Sequence, residues 1–325
     1  MLFKPSYKLN ILSEDEFSNE IGTIELDLGK YAVKDCLKSF DGSEIAYEYF
    51  LADNSKASIV LIHGFTEFYK KLYEMTWYFL NMGYNVFLYD QRGHGLSQRE
   101  VDNLQLTHIN NFDDYVRDLE HIINNVVKKA APGLPIYLFG HSMGGAVVSL
   151  YLEQHSDEIE RAILSSPMVC PKTHGLPGGL VRKAATSYAK KEGWNARFRQ
   201  SVTFNPNPSF NHSSDSSYAR FKHNLDYRIR DERYQTSAFT NKWMCEALNV
   251  KKRLLNRRTI GKIQTRILII SAEKDRVVHT RPQHILSGIL PNSTLIVMPG
   301  AKHTVYTASE PLLTSFYETV FDFLK

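Results

Sequence analysis

The sequence has few cysteines and no long apolar segment, and both features limit what the chain can be. Its three cysteines, Cys36, Cys170 and Cys245, are far apart and form no Cys-x-x-Cys pair. An odd number of dispersed thiols argues against a disulfide framework and favours a reducing compartment. Residues 1–22 lack the uninterrupted apolar stretch of a signal peptide, and no other segment is apolar for long enough to span a bilayer. We therefore expect a cytoplasmic protein, and contact with the membrane periphery stays open.

Motifs for metals, nucleotides and nucleic acids are also missing. The sequence contains no Walker-type glycine-rich lysine loop and no His-Glu-x-x-His motif. The glycines near residue 142 lack the G-x-G-x-x-G spacing of a dinucleotide site, and no recognised nucleic-acid-binding module is present. We expect a protein without cofactor, without metal and without a nucleic-acid partner.

Charge is distributed unevenly along the chain. The net charge of the 325 residues is only +4, but residues 167–260 contain 18 Lys and Arg against 6 Asp and Glu, which gives this segment +12 and leaves −8 for the rest. Such asymmetry indicates a surface for anionic partners. The hydrophobic share of 43% and charged share of 23% are ordinary for a globular protein, so a core can form without disulfides or metals.

Apolar strands alternate with amphipathic helices over most of the chain. The turn signal Asp41-Gly42 within residues 31–51 predicts a hairpin. Strands are predicted at residues 57–63, 85–90, 135–140, 162–165, 265–272 and 293–298, and helices at residues 69–82, 111–129, 146–152 and 311–324. This alternation predicts an α/β fold with a mostly parallel, doubly wound sheet.

The alternation breaks in the middle of the sequence. Residues 167–260 are polar, basic and aromatic, and they include the turn-rich stretch FNPNPSFNHSSDSS. Because strands and helices resume afterwards, we interpret this segment as an insertion and not as a C-terminal domain. The predicted organisation is one core domain, residues 1–166 and 261–325, with a largely helical cap at residues 167–260.

The strongest chemical signal is Gly140-His141-Ser142-Met143-Gly144-Gly145, which fits G-x-S-x-G. It lies between a predicted strand and a predicted helix, which is the context of a nucleophile elbow. Side chains at Gly140 and Gly144 would collide with neighbouring backbone in so tight a turn. The helix N-terminus behind Ser142 also favours developing negative charge. We therefore predict Ser142 as a nucleophile.

A serine nucleophile needs a general base, and the base needs an orienting acid. In an elbow-containing fold the acid and then the histidine follow the serine along the chain, each on a loop after a later strand. Asp275 and His303 follow the last two predicted strands. His279 and His284 are weaker candidates for the base because they precede the last strand, and Glu273 is the alternative acid.

Two backbone N–H groups are expected to stabilise an oxyanion. One belongs to Met143, the residue after the nucleophile, and the other to Phe65 in the loop after the first buried strand, with Thr66 as the alternative. The loop Asp90–Ser97 is predicted to be structural in spite of His94. His63 and His141 are also interpreted as scaffold residues.

These motifs resemble those of a known family. HGFTE, DQRGHGLS, GHSMGG, the Asp in SAEKDRVV and the His in PGAKHTVY are similar to the lysophospholipase and monoacylglycerol lipase group of α/β-hydrolases. THINNFDDYVRDLEHI and TSAFTNKWMCEAL resemble most closely the bacterial lysophospholipase L2 branch. The resemblance implies the α/β-hydrolase fold and hydrolysis of a single acyl ester on a glycerol backbone. It also implies Ser142, Asp275 and His303 as a triad, and Phe65 and Met143 as oxyanion donors. Phe65 is a departure, because monoacylglycerol lipases often have a small residue there.

The cap is predicted to carry substrate specificity. Its positive charge could receive a phosphate headgroup or rest on anionic lipid, and residues 243–258 have the composition of a basic amphipathic helix or of a solvated face. Its aromatic residues could line an acyl tunnel or pack the interior of the cap. They are Trp194, Phe198, Phe204, Phe210, Tyr218, Phe221, Tyr227, Phe239 and Trp243.

Three functional interpretations stay open. The favoured one is a serine hydrolase for lysophospholipids or monoacylglycerols. The second is a broad carboxylesterase or a proline-type aminopeptidase on the same fold, although an aminopeptidase needs acidic groups for its substrate's ammonium and the cap is poor in acids. The third is a non-catalytic receptor or scaffold, which is disfavoured because all three predicted triad residues are present.

Overall fold

A mixed sheet of eight strands occupies the centre of the computed structural model, which describes residues 1–173 and 175–325. The strands of the described chain are β1 (Val33–Lys38), β2 (Glu44–Phe50), β3 (Ala57–Ile62), β4 (Tyr84–Tyr89), β5 (Leu106–Thr107), β6 (Ile136–His141), β7 (Arg161–Ser165), β8 (Ala238–Phe239), β9 (Arg266–Ala272) and β10 (Ser293–Met298). The order in the sheet is β1-β2-β4-β3-β6-β7-β9-β10, while β5 and β8 form a separate parallel pair.

Most strand pairs in this sheet are parallel. The hairpin β1–β2 and the pair β2–β4 are antiparallel, and every pair from β4 to β10 is parallel. The predictions of a hairpin and of a mostly parallel sheet are both confirmed. Gly140 of β6 is aligned with Ile62 of β3 and with Leu164 of β7, so the predicted nucleophile follows a central strand at its carboxyl end.

Helices cover both faces of the sheet. They are α1 (Glu14–Gly29), α2 (Tyr73–Asn81), α3 (Asp113–Ile122), α4 (Lys128–Ala130), α5 (Met143–His155), α6 (Gly178–Glu192), α7 (Tyr218–Arg230), α8 (Asn241–Leu254), α9 (Arg257–Ile260), α10 (Thr280–Ser287) and α11 (Leu312–Leu324). A π-helical turn, Ile123–Val127, joins α3 to α4. Within β3, Val60 and Ile62 pack in a cluster with α3, α5 and α8, whereas Ile59 and Leu61 pack in a cluster with α1, α2 and α11. The side-chain alternation of a buried strand therefore builds two hydrophobic layers.

The segment between β7 and β9 contains α6 to α9 and β8. Its strand β8 pairs with β5, which belongs to the long loop between β4 and α3. The division into a core at residues 1–166 and 261–325 and a cap at residues 167–260 stays a prediction.

The predicted amphipathic stretch at residues 243–258 is two helices, α8 and α9. The apolar side chains of α8 are buried in the cluster that covers the sheet, and they include Trp243, Ala247, Val250 and Leu254. The core therefore already covers the apolar face of α8, and contact of the basic cap with anionic lipid stays a prediction. No helix within residues 1–173 and 175–325 combines the length and apolarity needed to cross a bilayer.

The N-terminal helix α1 is a feature that the sequence analysis missed. It begins with a capping box in which Glu16 N–H donates to Ser13 Oγ and Ser13 N–H donates to Glu16 Oε2. Its buried side chains are Phe17, Ile21, Ile24 and Leu28, whose spacing is that of one helical face. The helix packs against α2 and against α7 of the predicted cap.

A buried ion pair joins α7 to α2. Arg220 is 1% exposed, and its Nε and Nη2 donate to the two carboxylate oxygens of Glu74 at 2.8 and 2.5 Å. Nη2 also donates to the carbonyl oxygen of Leu12 at 2.8 Å. Although burying two charges is costly, removing one partner leaves the other uncompensated in a medium of low polarity.

We therefore expect Glu74→Ala to lower the free energy of unfolding by about 3–5 kcal/mol. Urea unfolding followed by circular dichroism measures the change. Glu20→Ala is the matched control, because Glu20 is exposed on α1, and it is expected to change stability by no more than about 0.5 kcal/mol. Equal stability of the two variants would show that the buried pair does not hold α7 in place.

Candidate active site

Ser142 lies in a tight turn between the end of β6 and the start of α5. Its backbone has φ 52° and ψ −114°, a conformation that residues with a side chain rarely adopt. Two hydrogen bonds hold the turn: Ser142 N–H donates to Ser165 O at 2.9 Å, and Met168 N–H donates to Ser142 O at 2.8 Å. The geometry is that of the predicted nucleophile elbow.

The glycines around Ser142 are required by close packing of the backbone. A Cβ on Gly140 would lie 2.6 Å from the carbonyl oxygen of Gly144, and a Cβ on Gly144 would lie 2.3 Å from the carbonyl oxygen of Ile62. Both contacts are with main-chain atoms that cannot rotate away. Only glycine allows α5 to begin this close to β3 and β6.

His303 and Asp275 lie next to Ser142 despite their distance along the chain. His303 follows β10, and its Nε2 is 2.9 Å from Ser142 Oγ, while its Nδ1 is 2.6 Å from Asp275 Oδ2. The other carboxylate oxygen of Asp275 accepts hydrogen bonds from the N–H groups of Val277 and Val278 at 2.7 and 2.9 Å. Because the carboxylate can only accept, the imidazole carries its proton on Nδ1 and presents Nε2 as an acceptor to the serine hydroxyl.

The electrostatic environment keeps Asp275 ionised. Burial raises the pKa of this carboxyl group, but the hydrogen bonds from His303 and from the two amides outweigh burial, and the net pKa is below its ordinary value. A negative charge therefore faces the imidazole at neutral pH.

The alternative residues lie elsewhere. Glu273 is exposed and accepts a hydrogen bond from Gly300 N–H at 2.7 Å. His279 directly precedes α10 and His284 lies within it, and both are exposed. Neither is among the residues that surround Ser142. Of the candidates for base and acid, the structure brings together only His303 and Asp275 with Ser142.

The loop after β3 passes close to Ser142. A Cβ on Gly64 would be 3.2 Å from Ser142 Cβ, and the N–H of the next residue, Phe65, makes no hydrogen bond to any residue the structure describes. Met143 is the first residue of α5, so its N–H has no intrahelical acceptor. Thr66, the alternative donor, has φ 63° and also borders the space in front of Ser142.

Glu67 is a structural residue of the site that the sequence analysis missed. Its carboxylate accepts hydrogen bonds from Gly64 N–H at 2.7 Å, Tyr306 Oη at 2.8 Å and Lys71 Nζ at 2.8 Å. Burial alone would raise its pKa, but Lys71 and His141 hold the pKa of Glu67 far below its usual range. The only signal in the sequence was the acid in HGFTE, whose partners are up to 239 positions away.

Buried hydrogen bonds hold the loop Asp90–Ser97, and its role as a support of the site stays a prediction. Asp90 is buried and accepts hydrogen bonds from the N–H groups of Tyr69 and Leu96. Burial lowers the pKa of His94 well below its ordinary value, and His94 does not border the space in front of Ser142. His141 does border it, but burial and the nearby cations lower its pKa to about 3, so it is uncharged at neutral pH.

A cavity of about 660 Å³ opens in front of Ser142 and His303. Its apolar wall consists of Phe65, Phe68, Val202, Pro208, Phe221, Leu225 and Val277. Of the nine aromatic residues predicted for the cap, Phe221 alone lines it. The rings of Trp243 and Phe239 instead pack against Phe65, at centroid distances of 4.4 and 5.8 Å. Phe239 and Trp243 therefore pack within the fold, whereas Trp194 and Tyr218 are exposed.

Curated relatives match nearly the whole chain. Probable lysophospholipase L2 of Haemophilus influenzae is 27% identical over 287 residues, which cover 87% of this chain and 88% of the relative. Lysophospholipase L2 of Escherichia coli strain K12 is 25% identical over 304 residues, which cover 88% and 85%. The resemblance inferred from the motifs is confirmed.

Solved structures and a family profile agree on the fold. A soluble variant of monoglyceride lipase from Saccharomyces cerevisiae, crystallised with a substrate analog, superimposes with a TM-score of 0.73 at 20% identity and covers 91% of this chain and 95% of its own. Such a likeness shows the α/β-hydrolase fold. The profile of the family described as serine aminopeptidase, S33, matches residues 53–310. The match covers more than half of the chain, from before β3 to the loop after His303, and the chain therefore belongs to this family of α/β-hydrolases.

Proposed function

We propose that the protein is a serine hydrolase that cleaves the acyl ester of lysophospholipids or monoacylglycerols through an acyl-enzyme intermediate. The observation that carries the proposal is the hydrogen-bonded series Ser142–His303–Asp275, which ends in a cavity with an apolar wall. A serine hydroxyl is a weak nucleophile near neutral pH unless a base within hydrogen-bonding distance accepts its proton.

In the first step Ser142 Oγ attacks the ester carbonyl while His303 Nε2 accepts the hydroxyl proton. The resulting imidazolium is stabilised by Asp275, which stays ionised and keeps the ring oriented. As the tetrahedral intermediate collapses, His303 returns the proton to the leaving alcohol, and the acyl group stays on Ser142. Water then attacks the acyl-enzyme by the same route, which releases the fatty acid and regenerates the serine.

The N–H groups of Phe65 and Met143 are the proposed donors to the oxyanion. Neither N–H group has an acceptor among the described residues that would compete with the oxyanion. The N-terminus of α5 points toward the same oxyanion position. The hydrogen bond from Gly64 N–H to Glu67 fixes the loop that carries Phe65. Loss of one such donor typically costs about 3–4 kcal/mol of transition-state stabilisation.

The choice of a lipid ester rests on the cavity and on the relatives. The cavity has the size of a typical small-molecule site, and its apolar wall suits an acyl chain. Two similar proteins are named lysophospholipase L2. The substrate is a small molecule, and the proposed chemistry uses no cofactor.

The alternative of a proline-type aminopeptidase has less support, although the family's description mentions aminopeptidases. Such an enzyme needs a free carboxylate for the ammonium of its substrate. Two acids line the cavity, Glu67 and Asp215. Lys71 Nζ lies 2.8 Å from the first and 3.6 Å from the second, so neither carboxylate is free of a cation. A broad carboxylesterase differs only in substrate range.

We further propose that the protein contacts anionic membranes through a basic groove of about 760 Å³ beside the cavity. Four exposed cations border this groove, which has no acidic residue among its described lining: Lys172, Lys251, Arg276 and Arg281. Leu176 lines the same groove and is 57% exposed. Val277 borders both the groove and the cavity, so a bilayer at the groove would lie next to the proposed active site.

We expect Ser142→Ala to lower kcat by roughly six orders of magnitude on every substrate that wild type cleaves. The panel is lysophosphatidylcholine, lysophosphatidylethanolamine, monoacylglycerol, p-nitrophenyl esters and Pro-naphthylamide. Wild type is expected to cleave the lipids and to react with a fluorophosphonate probe, whereas the variant should do neither. Ser187→Ala is the control because Ser187 is exposed on α6. Activity of Ser142→Ala near that of wild type would refute the mechanism, and cleavage of Pro-naphthylamide alone would favour the aminopeptidase.

The double variant K251Q/R281Q is expected to bind anionic vesicles about 30-fold more weakly, since each cation near such a surface contributes about 1 kcal/mol. Lys172 is left unchanged because its Nζ donates to the carbonyl oxygen of Asp275. Sedimentation with phosphatidylserine-containing vesicles measures binding, with K4Q/K38Q, at two exposed lysines outside the cap, as control. Salt-insensitive binding of wild type would argue against the groove as a membrane contact. Equal binding of K251Q/R281Q and K4Q/K38Q would argue against it as well.

A further inference from the structure

One face of α7 forms part of the cavity wall. Phe221, Asn224, Leu225 and Arg228 all line it, and their spacing of three, four and seven residues places them along one side of a helix. The side is apolar at Phe221 and Leu225 and cationic at Arg228. Phe221 and Arg228 are about 10 Å apart along the helix axis, at a rise of about 1.5 Å per residue.

Arg228 is held firmly but has unused donors. Its Nε donates to the carbonyl oxygen of Tyr234 at 3.1 Å, and its Nη2 donates to that of Thr236 at 2.9 Å. The guanidinium also lies 4.7 Å from the centroid of the Phe204 ring. Of its five N–H groups, three are left over, including both on Nη1, for which no described residue provides an acceptor.

Arg228 also has no carboxylate of the described chain within 4.0 Å. Asp215 is the acid whose charge acts on Arg228, and its carboxylate is occupied by Thr307 Oγ1 at 2.7 Å, by Ser213 Oγ at 3.0 Å and by Lys71 Nζ at 3.6 Å. Burial lowers the pKa of Arg228 to about 10, with partial opposition from Asp215. The guanidinium is therefore charged at neutral pH. A partly buried charge without a counterion costs free energy, which a bound anion would offset.

We propose that Arg228 binds the phosphate of a lysophospholipid whose acyl ester lies at Ser142, so that the substrate class is the phosphate-bearing one. The inference rests on the proposed function. A guanidinium with free N–H groups on neighbouring nitrogens matches the fork of phosphate oxygens. The acyl chain packs against the apolar part of the same helix face, which makes that face complementary to a molecule with one apolar and one anionic end.

The test compares two substrates with the same acyl chain, lysophosphatidylethanolamine and monoacylglycerol. Arg228→Gln is expected to lower kcat/KM for lysophosphatidylethanolamine, relative to kcat/KM for monoacylglycerol, about 10- to 100-fold, as for the loss of a charged hydrogen bond. Arg228→Lys is expected to restore part of this ratio. Arg230→Gln, at the exposed end of the same helix, should leave the ratio unchanged. A ratio that Arg228→Gln does not alter, including an equal loss on both substrates, would overturn the inference.

Binding to a hydrolysis-deficient protein separates this inference from the proposed function. Titration calorimetry of Ser142→Ala with a short-chain lysophosphatidylethanolamine, below its micellar concentration, is expected to give an affinity about 10- to 100-fold higher than S142A/R228Q gives. A monoacylglycerol of equal chain length should not discriminate between the two proteins. If wild type hydrolyses neither lipid, the proposed function fails while this measurement still decides the role of Arg228. Equal affinity of both variants for the lysophospholipid overturns that role.

Discussion

The backbone turn at Ser142 is the constraint on which the rest of the site depends. It holds a side-chain-bearing residue at φ 52°, a conformation that costs of order 1–3 kcal/mol and persists only where the surroundings fix it. Those surroundings are β3, β6, β7 and the start of α5, which approach one another so closely that Gly140 and Gly144 leave no room for a Cβ. The same approach points the N-terminus of α5 and the carboxyl ends of the parallel strands to one edge of the sheet, where His303 and Asp275 also arrive.

A buried ion cluster connects this edge to the predicted cap. Glu67 fixes the loop after β3 through Gly64 N–H, and Lys71, four residues further along the chain, also lies 3.6 Å from Asp215 of the predicted cap. Burial opposes the charge on Lys71, but Asp215 and Glu67 outweigh burial and raise its pKa. The loop that positions Phe65 and the wall opposite Ser142 are therefore coupled through one ammonium group. The ion pair of Arg220 with Glu74 ties α7 to the core at a second point.

The central strands and the meeting of Ser142, Asp275 and His303 could be predicted because their signals are local. Apolar runs such as residues 57–63 identify strands on their own, and the carboxyl ends of parallel strands meet at one edge of a sheet. Glu67 and Arg228 could not be predicted in the same way. The role of Glu67 depends on hydrogen-bond partners that are distant in sequence, and that of Arg228 on the lack of a nearby carboxylate, and only the folded chain defines either. Helix α1 did have a local signal, the capping box at Ser13 and Glu16, whereas the burial of α8 depends on its contact with α5.

The charge of the cap shows why composition alone is a poor guide to binding. Part of the excess of +12 at residues 167–260 is neutralised by acids outside this segment: Arg220 is paired with Glu74, and Arg253 lies 2.6 Å from Asp113. Two of the remaining sets of cations, those at the basic groove and Arg228, have different surroundings. Cations at the basic groove, such as Lys251, are exposed and screened by salt, so they suit a diffuse anionic surface. Arg228 is partly buried on the wall of the same cavity as Ser142, where a single phosphate gains most because water competes least. In the proposed function the two groups would serve separate recognition steps, the groove binding the membrane and Arg228 then binding the lipid headgroup.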